Sequence, residues 1–145
     1  MTYSNLPENE KIKKKVLENI RWIDDLSEID MQIGIYFFKE AETGEIVYIG
    51  QGGTVKQNLK KRVKQYFMPS DSGTIAFKHK VLSYPLGTSK AEKKDYYKKN
   101  YQKTWRKYMT DRFEIGILEI KEMTKHDVEI EEAYLIGLFR TKFNY

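Results

Sequence analysis

Two strand-like runs lie at the centre of this chain: IGIYFF at residues 33–38 and IVYIG at residues 46–50. β-Branched and aromatic residues fill the two runs, as is typical of strands. The polar residues 39–45 lie between them, and Thr43 followed by Gly44 favours a turn there. Two such runs joined by a short glycine-containing loop predict an antiparallel β-hairpin.

A basic helix is predicted after the hairpin, over residues 59–67 with the sequence LKKRVKQYF. Its apolar positions recur every fourth residue, as in an amphipathic helix: Leu59, Val63 and Phe67. Arg62 and Tyr66 project together from an adjacent face. Taken singly, each of these residues suits a core position or a solvated charge. A guanidinium beside a phenol, next to the two hairpin tyrosines, favours a phosphate-binding surface instead.

A late predicted helix carries Glu132 on the face that should pack against the core. The apolar residues of that face are Val128, Leu135, Ile136 and Phe139. Burial of an unpaired charge is costly, so Glu132 needs a cation, a hydrogen-bond network or a raised pKa. The neighbouring Glu131 is the alternative, because periodicity alone hardly separates the two residues.

These residues give the chain a resemblance to the GIY-YIG nuclease superfamily. GIY stands at residues 34–36, YIG at residues 48–50, and eleven residues separate them. Either tripeptide alone is uninformative, but the pair at this separation, followed by a helix with Arg62, is a specific signal. The family also has a glutamate placed two residues before Leu-Ile, and an asparagine near the end of the domain. Glu132 and Asn144 match these two marks.

The resemblance implies metal-dependent hydrolysis of a DNA phosphodiester, with one Mg²⁺ or Mn²⁺ ion held by Glu132. A single carboxylate is enough, because Mg²⁺ takes oxygen ligands and keeps several waters. Arg62 is expected to neutralise charge on the phosphoryl oxygens, a role worth about 3–4 kcal/mol. Tyr36 is the family's candidate general base. A phenol with a pKa of about 10 is a poor base at neutral pH unless its pKa is lowered.

Supporting roles are implied for the other matching residues. Tyr48 is expected to line the opposite side of the site, and Tyr66 to hydrogen-bond a phosphate oxygen where many relatives carry histidine. Gly34 and Gly50 are expected to support the site within the strands. Asn144 is expected to brace the glutamate helix rather than take part in chemistry.

Three departures from the compact family pattern bear on the substrate. The link from Tyr48 to Arg62 is longer, and Gln51 replaces the small or basic residue that often follows YIG. Residues 68–112, called here the basic insertion, have no equivalent in the minimal domain. No catalytic position is lost, so these departures affect the expected substrate preference rather than the expected activity.

Basic charge is concentrated in residues 56–112, which hold 16 Lys and Arg but only 4 Asp and Glu. The rest of the chain holds 10 basic and 17 acidic residues, so the net charge of +5 conceals a strong asymmetry. Such a sector predicts a polyanion partner, here double-stranded DNA. The residues expected to contact DNA are Lys60, Lys61, Lys64, Lys93, Lys94, Lys98, Lys99, Lys103, Arg106 and Lys107.

The aromatic residues of the basic insertion recur at helical spacing. They are Tyr97, Tyr101, Trp105 and Tyr108, and they predict one long helix over residues 90–111. We expect them to dock on the core rather than stack on bases, and we assign DNA contact to the lysines.

The remaining pattern predicts an α/β (α+β) fold in one domain over residues 1–145, with a small three-stranded, mostly antiparallel sheet flanked by helices. Core motifs occupy residues 33–67 and 113–144, and an N-terminal helix is expected over residues 8–25. Residues 113–120 predict a central strand. Residues 75–83 are predicted to form a helix or a strand, and residues 84–89 a loop in which Ser89 is a candidate cap. A further helix is predicted to begin at Thr124 or Asp127 and to end at Phe139 or Arg140.

Composition excludes several classes of protein. The 145 residues include no cysteine, which excludes disulfides, thiol catalysis and thiolate zinc sites. No run is long enough to span a membrane and no secretory signal is present, so a soluble cytoplasmic protein without a membrane partner is expected.

The leading functional prediction is a DNA endonuclease, with a restriction-type enzyme as one form and a homodimer as one arrangement. A repair or mobile-element nuclease is the alternative within the same class. From other classes, a nucleic-acid-binding module without activity and a protein-interaction domain stay open. The basic sector argues against the interaction domain, and the presence of Arg62 and Glu132 argues against the inactive module.

Overall fold

The computed structural model describes residues 6–70, 72–120 and 124–144. Within these ranges, six α-helices surround a four-stranded antiparallel sheet, which confirms the predicted mixed α/β class. The strands are β1 (Arg21–Ile23), β2 (Gly34–Glu40), β3 (Ile46–Gly52) and β4 (Phe113–Glu119). The helices are α1 (Leu6–Asn19), α2 (Leu59–Phe67), α3 (Ile75–Leu82), α4 (Lys90–Asn100), α5 (Trp105–Arg112) and α6 (Lys125–Phe139). None of the helices in the described ranges is long and apolar enough to cross a lipid bilayer.

The sheet has the strand order β1-β4-β2-β3, so β2 and β4 are central and β3 is an edge strand. The predicted hairpin is confirmed: β2 pairs with β3, and Tyr36 lies opposite Gly50. The prediction of a central strand near residues 113–120 is confirmed as well, because β4 pairs with β1 on one side and with β2 on the other.

Two predictions, a three-stranded sheet and a helix over residues 8–25, are wrong for the same reason: residues 21–23 form a fourth strand. Helix α1 ends at Asn19, and the next residues form β1, which pairs with β4. Ile20 and Ile23, which helical spacing would place on one face, pack into clusters on opposite faces of the sheet. Residues 21–23 are extended because their backbone groups complete the outer edge of β4.

Both faces of the sheet are covered by helices, so β2 is buried along nearly its whole length. Tyr36 and Phe38 pack on one face, in the cluster that includes apolar residues of α2, α3 and α5. Ile35 and Phe37 pack on the other face, in the cluster that includes apolar residues of α6. Helices α2 and α6 therefore meet the sheet from opposite sides.

The basic insertion is helical but not one helix. Residues 75–82 form α3, which decides between the two predicted alternatives. The predicted helix over residues 90–111 breaks at Tyr101 into α4 and α5. After the break, Trp105 is fully buried and its Nε1 donates a hydrogen bond to the carbonyl oxygen of Tyr66 at 2.8 Å. The aromatic residues dock on the core as predicted, since Tyr97 is also buried and Tyr101 and Tyr108 pack against the same cluster.

Side-chain caps fix where several helices begin. Ser89 caps α4 in a capping box with Glu92, and Thr124 caps α6 in a capping box with Asp127. Of the two predicted starting points of this helix, Thr124 is therefore the cap and Asp127 lies in the first turn. Asn58 caps α2 by accepting a hydrogen bond from the backbone N–H of Lys61.

Candidate active site

An open cleft of about 470 Å³ lies at the β3 edge of the sheet, where residues of α2 and α6 approach from opposite faces. Its lining includes all of the residues predicted to be catalytic: Tyr36, Tyr48, Arg62, Tyr66 and Glu132. They come from four separate elements, β2, β3, α2 and α6. The fold thus brings together in space residues that are up to 96 positions apart in the sequence.

The three tyrosines form one hydrogen-bonded cluster centred on the Tyr66 hydroxyl. The Tyr36 hydroxyl donates to the Tyr66 hydroxyl at 2.8 Å, and the Tyr48 and Tyr66 hydroxyls are 2.9 Å apart. The three ring centroids lie 5.5–6.3 Å from one another. We call Tyr36, Tyr48 and Tyr66 the tyrosine cluster.

Burial raises the pKa of all three phenols of the tyrosine cluster well above the ordinary value for tyrosine. The charge of Arg62 acts in the opposite direction on each phenol, but it is the smaller effect. Tyr36 is the most enclosed of the three, with a relative exposure of 1%. The cluster therefore holds neutral phenols at pH 7, which can donate hydrogen bonds to an anion.

Two glycines make room for this geometry. A Cβ atom at Gly50 would lie 2.1 Å from the hydroxyl of Tyr36, whose ring crosses directly over β3. A Cβ atom at Gly34 would lie 2.4 Å from the carbonyl oxygen of Leu118 and 2.8 Å from Leu59 at the start of α2. The two predicted supporting glycines thus have a steric reason: they allow the Tyr36 ring and α2 to approach the sheet closely.

Arg62 lies on α2 beside the tyrosine cluster. Its Nη1 donates to the side-chain oxygen of Gln65 at 2.7 Å, and its Nη2 is 3.4 Å from the Tyr66 hydroxyl. No carboxylate in the described ranges forms an ion pair with this guanidinium. Its positive charge is therefore available to a bound anion.

Glu132 lies half-buried on α6 and lines the cleft. Among residues 6–70, 72–120 and 124–144, no group donates a hydrogen bond to its carboxylate or pairs with it. Burial is the main cause that raises the pKa of Glu132; Glu129 raises it further and Arg62 lowers it. Such a carboxylate is in an environment that favours either a proton or a bound cation.

Asn144 joins the end of α6 to the edge strand. Its side-chain oxygen accepts from the backbone N–H of Ile49 at 2.9 Å, and its Nδ2 donates to the carbonyl oxygen of Ile49 at 2.8 Å. The Thr141 hydroxyl, which follows α6, donates to the same Asn144 oxygen. Asn144 thus satisfies the outward backbone groups of β3 next to Tyr48 and ties the glutamate helix to the sheet.

The predicted DNA-contacting residues lie outside the cleft. Lys60, Lys61 and Lys64 are exposed on α2, the helix that carries Arg62. Those of the basic insertion lie on or near α4 and α5: Lys93, Lys94, Lys98, Lys99, Lys103, Arg106 and Lys107. Lys99 and Lys107 form exposed ion pairs with Asp95 and Asp111. Exposed pairs of this kind are weak, so they can exchange for phosphate contacts.

Four polar residues of the cleft were not predicted from the sequence: Gln51, Thr54, Gln57 and Lys125. Gln51 directly follows the YIG tripeptide, and that position was the only local signal. Lys125 is the first residue of α6 and approaches an acidic residue of its own helix, Glu129, at 3.8 Å. Its place in the cleft depends on how α6 docks, which spacing does not reveal.

Comparisons with models of known protein families, with curated proteins and with solved structures found no match to this chain. The resemblance to the GIY-YIG superfamily therefore rests on the motif residues themselves.

Proposed function

We propose that this protein is a metal-dependent endonuclease that hydrolyses phosphodiester bonds of DNA. The proposal rests on one observation: the same cleft is lined by three phenols, a guanidinium and a carboxylate. Within the described ranges that carboxylate has no partner. Neutral donors, a fixed positive charge and a cation ligand are the groups that phosphoryl transfer requires.

Glu132 fits the role of a cation ligand. It is half-buried, lacks a partner among the described residues and has a raised pKa, so a bound cation would compensate its charge. No group of three His, Asp or Glu side chains converges in the part of the chain that the structure describes. We therefore propose Mg²⁺ or Mn²⁺, which accept one carboxylate together with water ligands. When bound, such a cation supplies Lewis-acid stabilisation of charge on the scissile phosphate and on the leaving 3′ oxygen.

Arg62 and the tyrosine cluster would hold the phosphate. The Arg62 guanidinium would neutralise charge that builds on the phosphoryl oxygens as water attacks phosphorus and the P–O3′ bond breaks. The hydroxyls of Tyr48 and Tyr66 would donate hydrogen bonds to those oxygens. The products would be a 5′-phosphate and a 3′-hydroxyl.

The role of Tyr36 as general base stays a prediction. Its hydroxyl donates to Tyr66, and burial raises its pKa, so loss of its proton at neutral pH is unfavourable. The geometry supports a positioning role more directly, because Tyr36 holds the Tyr66 hydroxyl beside Arg62.

The basic sector supports duplex DNA as the substrate. It belongs to the same chain that forms the cleft, so recognition would be built into the nuclease domain, as in restriction-type enzymes. A homodimer would then present one cleft to each strand. Repair and mobile-element nucleases would use the same chemistry on other DNA structures.

The test is cleavage of supercoiled plasmid DNA in Mg²⁺ or Mn²⁺, with EDTA and Glu132→Ala as negative controls and Glu131→Ala as the matched control. We expect the wild type and Glu131→Ala to cut, and Glu132→Ala and the EDTA sample to leave the plasmid intact. Cutting that survives Glu132→Ala would refute the assignment of the metal ligand. Wild-type protein that binds plasmid DNA without cutting it would leave two readings, an inactive binding module or a nuclease for another DNA substrate.

A further inference from the structure

Helix α6 is apolar on its outer side as well as on the side that packs against the sheet. Val128 and Leu135 are buried on the sheet side. The residues of the outer side recur at the i, i+3, i+4 and i+7 spacing of one helix face: Ile130, Ala133, Tyr134 and Gly137. We call these four residues the outer stripe. A helix whose outer side meets only water normally carries polar residues there.

The outer stripe is open to solvent. Ile130 is 56% exposed and Tyr134 is 48% exposed. Ala133 is exposed as well, and a Cβ atom at Gly137 would meet nothing within 4 Å. Single exposed apolar residues are common, but a contiguous group of them on one helix face marks a contact surface. Because Ala133 and Gly137 are small, another helix would be able to approach α6 closely.

The charges beside the outer stripe fit a second copy of the same helix. Lys125 and Glu132 line the cleft, and Glu129 and Arg140 follow them at helical spacing on the same flank of α6. Glu129 lies near one end of the stripe and Arg140 near the other. Among the described residues Arg140 forms no ion pair, and Glu129 has one exposed contact, with Lys125 at 3.8 Å. Such an exposed contact is weak and exchanges easily.

Two α6 helices that pack antiparallel through their outer stripes would match both the apolar residues and the charges. A two-fold axis perpendicular to the helices would place Ile130 opposite the partner's Gly137 and would bring Ala133 near the axis. Such an axis also keeps the same flank of both helices on one side of the pair. Glu129 would therefore lie beside the partner's Arg140, and Arg140 beside the partner's Glu129.

We infer that this protein forms a homodimer in which the outer stripes of two α6 helices pack antiparallel. The consequence for cutting rests on the proposed function. Because the cleft lies on the flank that the two-fold axis keeps on one side, both clefts would open toward the same duplex and each would act on one strand. One helix pair is smaller than the standard interface of about 1,600 Å², so we expect a dissociation constant in the micromolar range.

The first test is the mass of the protein in solution, measured by sedimentation equilibrium without DNA or metal over a range of concentrations. We expect the wild type to approach twice the mass of one chain. Ile130→Glu should weaken self-association at least about tenfold, because it would bury a charge in the contact. It should stay folded, since Ile130 is exposed within one copy. Leu86→Glu, at a fully exposed leucine between α3 and α4, is the matched control and should associate like the wild type.

The second test identifies the antiparallel arrangement. Arg140→Glu would place two carboxylates at each end of the contact and should weaken the dimer, whereas Glu129→Arg/Arg140→Glu should restore it. The chain contains no cysteine, so Ala133→Cys supplies one thiol near the two-fold axis. Mild oxidation should link two copies of Ala133→Cys through a disulfide and leave the control Leu86→Cys monomeric.

A wild type that stays monomeric up to about 0.5 mM would overturn the inference, because a micromolar dissociation constant predicts mostly dimer at that concentration. A dimer that persists in Ile130→Glu, or one that the double charge exchange does not restore, would overturn it as well.

These mass measurements are independent of cutting. If plasmid cleavage fails but the dimer is present and lost in Ile130→Glu, the nuclease proposal fails and the interface stands. If the wild type cuts but is monomeric throughout, the reverse holds. If both proposals hold, the wild type should convert supercoiled plasmid to the linear form, and Ile130→Glu should yield mainly nicked circles.

Discussion

The half-buried Glu132 links stability to pH at the scale of one side chain. An unfolded glutamate titrates near 4.5, and burial raises the pKa of Glu132 in the folded protein. Between these two values the folded state binds more protons than the unfolded state, so the free energy of unfolding falls as the pH rises. The loss is complete above the raised pKa, and the metal-free protein therefore carries this cost at neutral pH.

We predict that Glu132→Gln stabilises the metal-free protein at neutral pH. The expected rise in Tm is about 1–4 °C, which corresponds to roughly 0.5–1 kcal/mol in a domain of this size. Calorimetry near pH 4.5 and at neutral pH should show the gain only at the higher pH. Added Mg²⁺ should raise the Tm of the wild type but not that of Glu132→Gln. A variant less stable than the wild type at neutral pH would contradict this account.

Gly50 allows the Tyr36 ring to cross β3, and its replacement tests that contact. A Cβ atom at residue 50 would lie 2.1 Å from Tyr36, so Gly50→Ala should cost about 1–3 kcal/mol through overpacking. Gly137 is the matched control, because a Cβ atom there would meet nothing within 4 Å on the exposed side of α6. Gly137→Ala should gain about 0.5–1 kcal/mol from helix propensity. Urea unfolding measures the two values, and equal effects would refute the steric explanation.

At the scale of elements, the clamp between Asn144 and β3 holds the edge strand that carries Tyr48. Asn144→Ala would remove two hydrogen bonds to Ile49 and should cost about 1–3 kcal/mol. Hydrogen exchange at the Ile49 amide is the direct measurement, and we expect faster exchange in the variant. Asn100→Ala removes one exposed hydrogen bond on α4 and should change stability by less than about 0.5 kcal/mol. An Ile49 amide that stays protected in Asn144→Ala would show that the clamp is not needed.

The elements differ in how far the sequence predicts them. The hairpin and α2 follow from local spacing, and both are found as predicted. Strand β1 is not local, because pairing with β4, more than 90 residues later, makes residues 21–23 extended. The break between α4 and α5 has a similar origin, since the contact of Trp105 with Tyr66 lies outside the helix pattern.

The candidate site likewise combines contacts that local spacing predicts with contacts that depend on the whole fold. The pairing of Arg62 with Tyr66 follows from helical spacing, and the Arg62 guanidinium lies 5.7 Å from the centroid of the Tyr66 ring. The shared hydroxyl contacts of the tyrosine cluster depend on sheet register and on the docking of α2, which no local pattern reveals. The same holds for Lys125, which reaches the cleft only because α6 docks beside β3.

At the scale of the whole molecule, basic charge is concentrated in residues 56–112 and predicts salt-sensitive DNA binding. Each phosphate contact contributes about 0.9 to the slope of log affinity against log salt concentration. Lys60→Gln/Lys64→Gln should therefore reduce that slope by about 1–2. Lys11→Gln/Lys15→Gln removes the same charge from α1 and should change the slope by less than about 0.5. Anisotropy titrations at several salt concentrations measure the two slopes. Equal changes of slope in the two double variants would mean that net charge, rather than this surface, governs binding.

The single-turnover rate of cleavage of a labelled duplex in Mg²⁺ tests most directly whether Glu132 holds a catalytic cation. Glu132→Gln keeps the shape of the side chain but removes its charge, and Glu129→Gln makes the same change three residues earlier on an exposed part of α6. We predict a loss of at least about 100-fold for Glu132→Gln and a change of less than about threefold for Glu129→Gln. Wild-type protein that does not cut this duplex, or equal rates for the two variants, would contradict the assignment of Glu132 as the cation ligand of a nuclease.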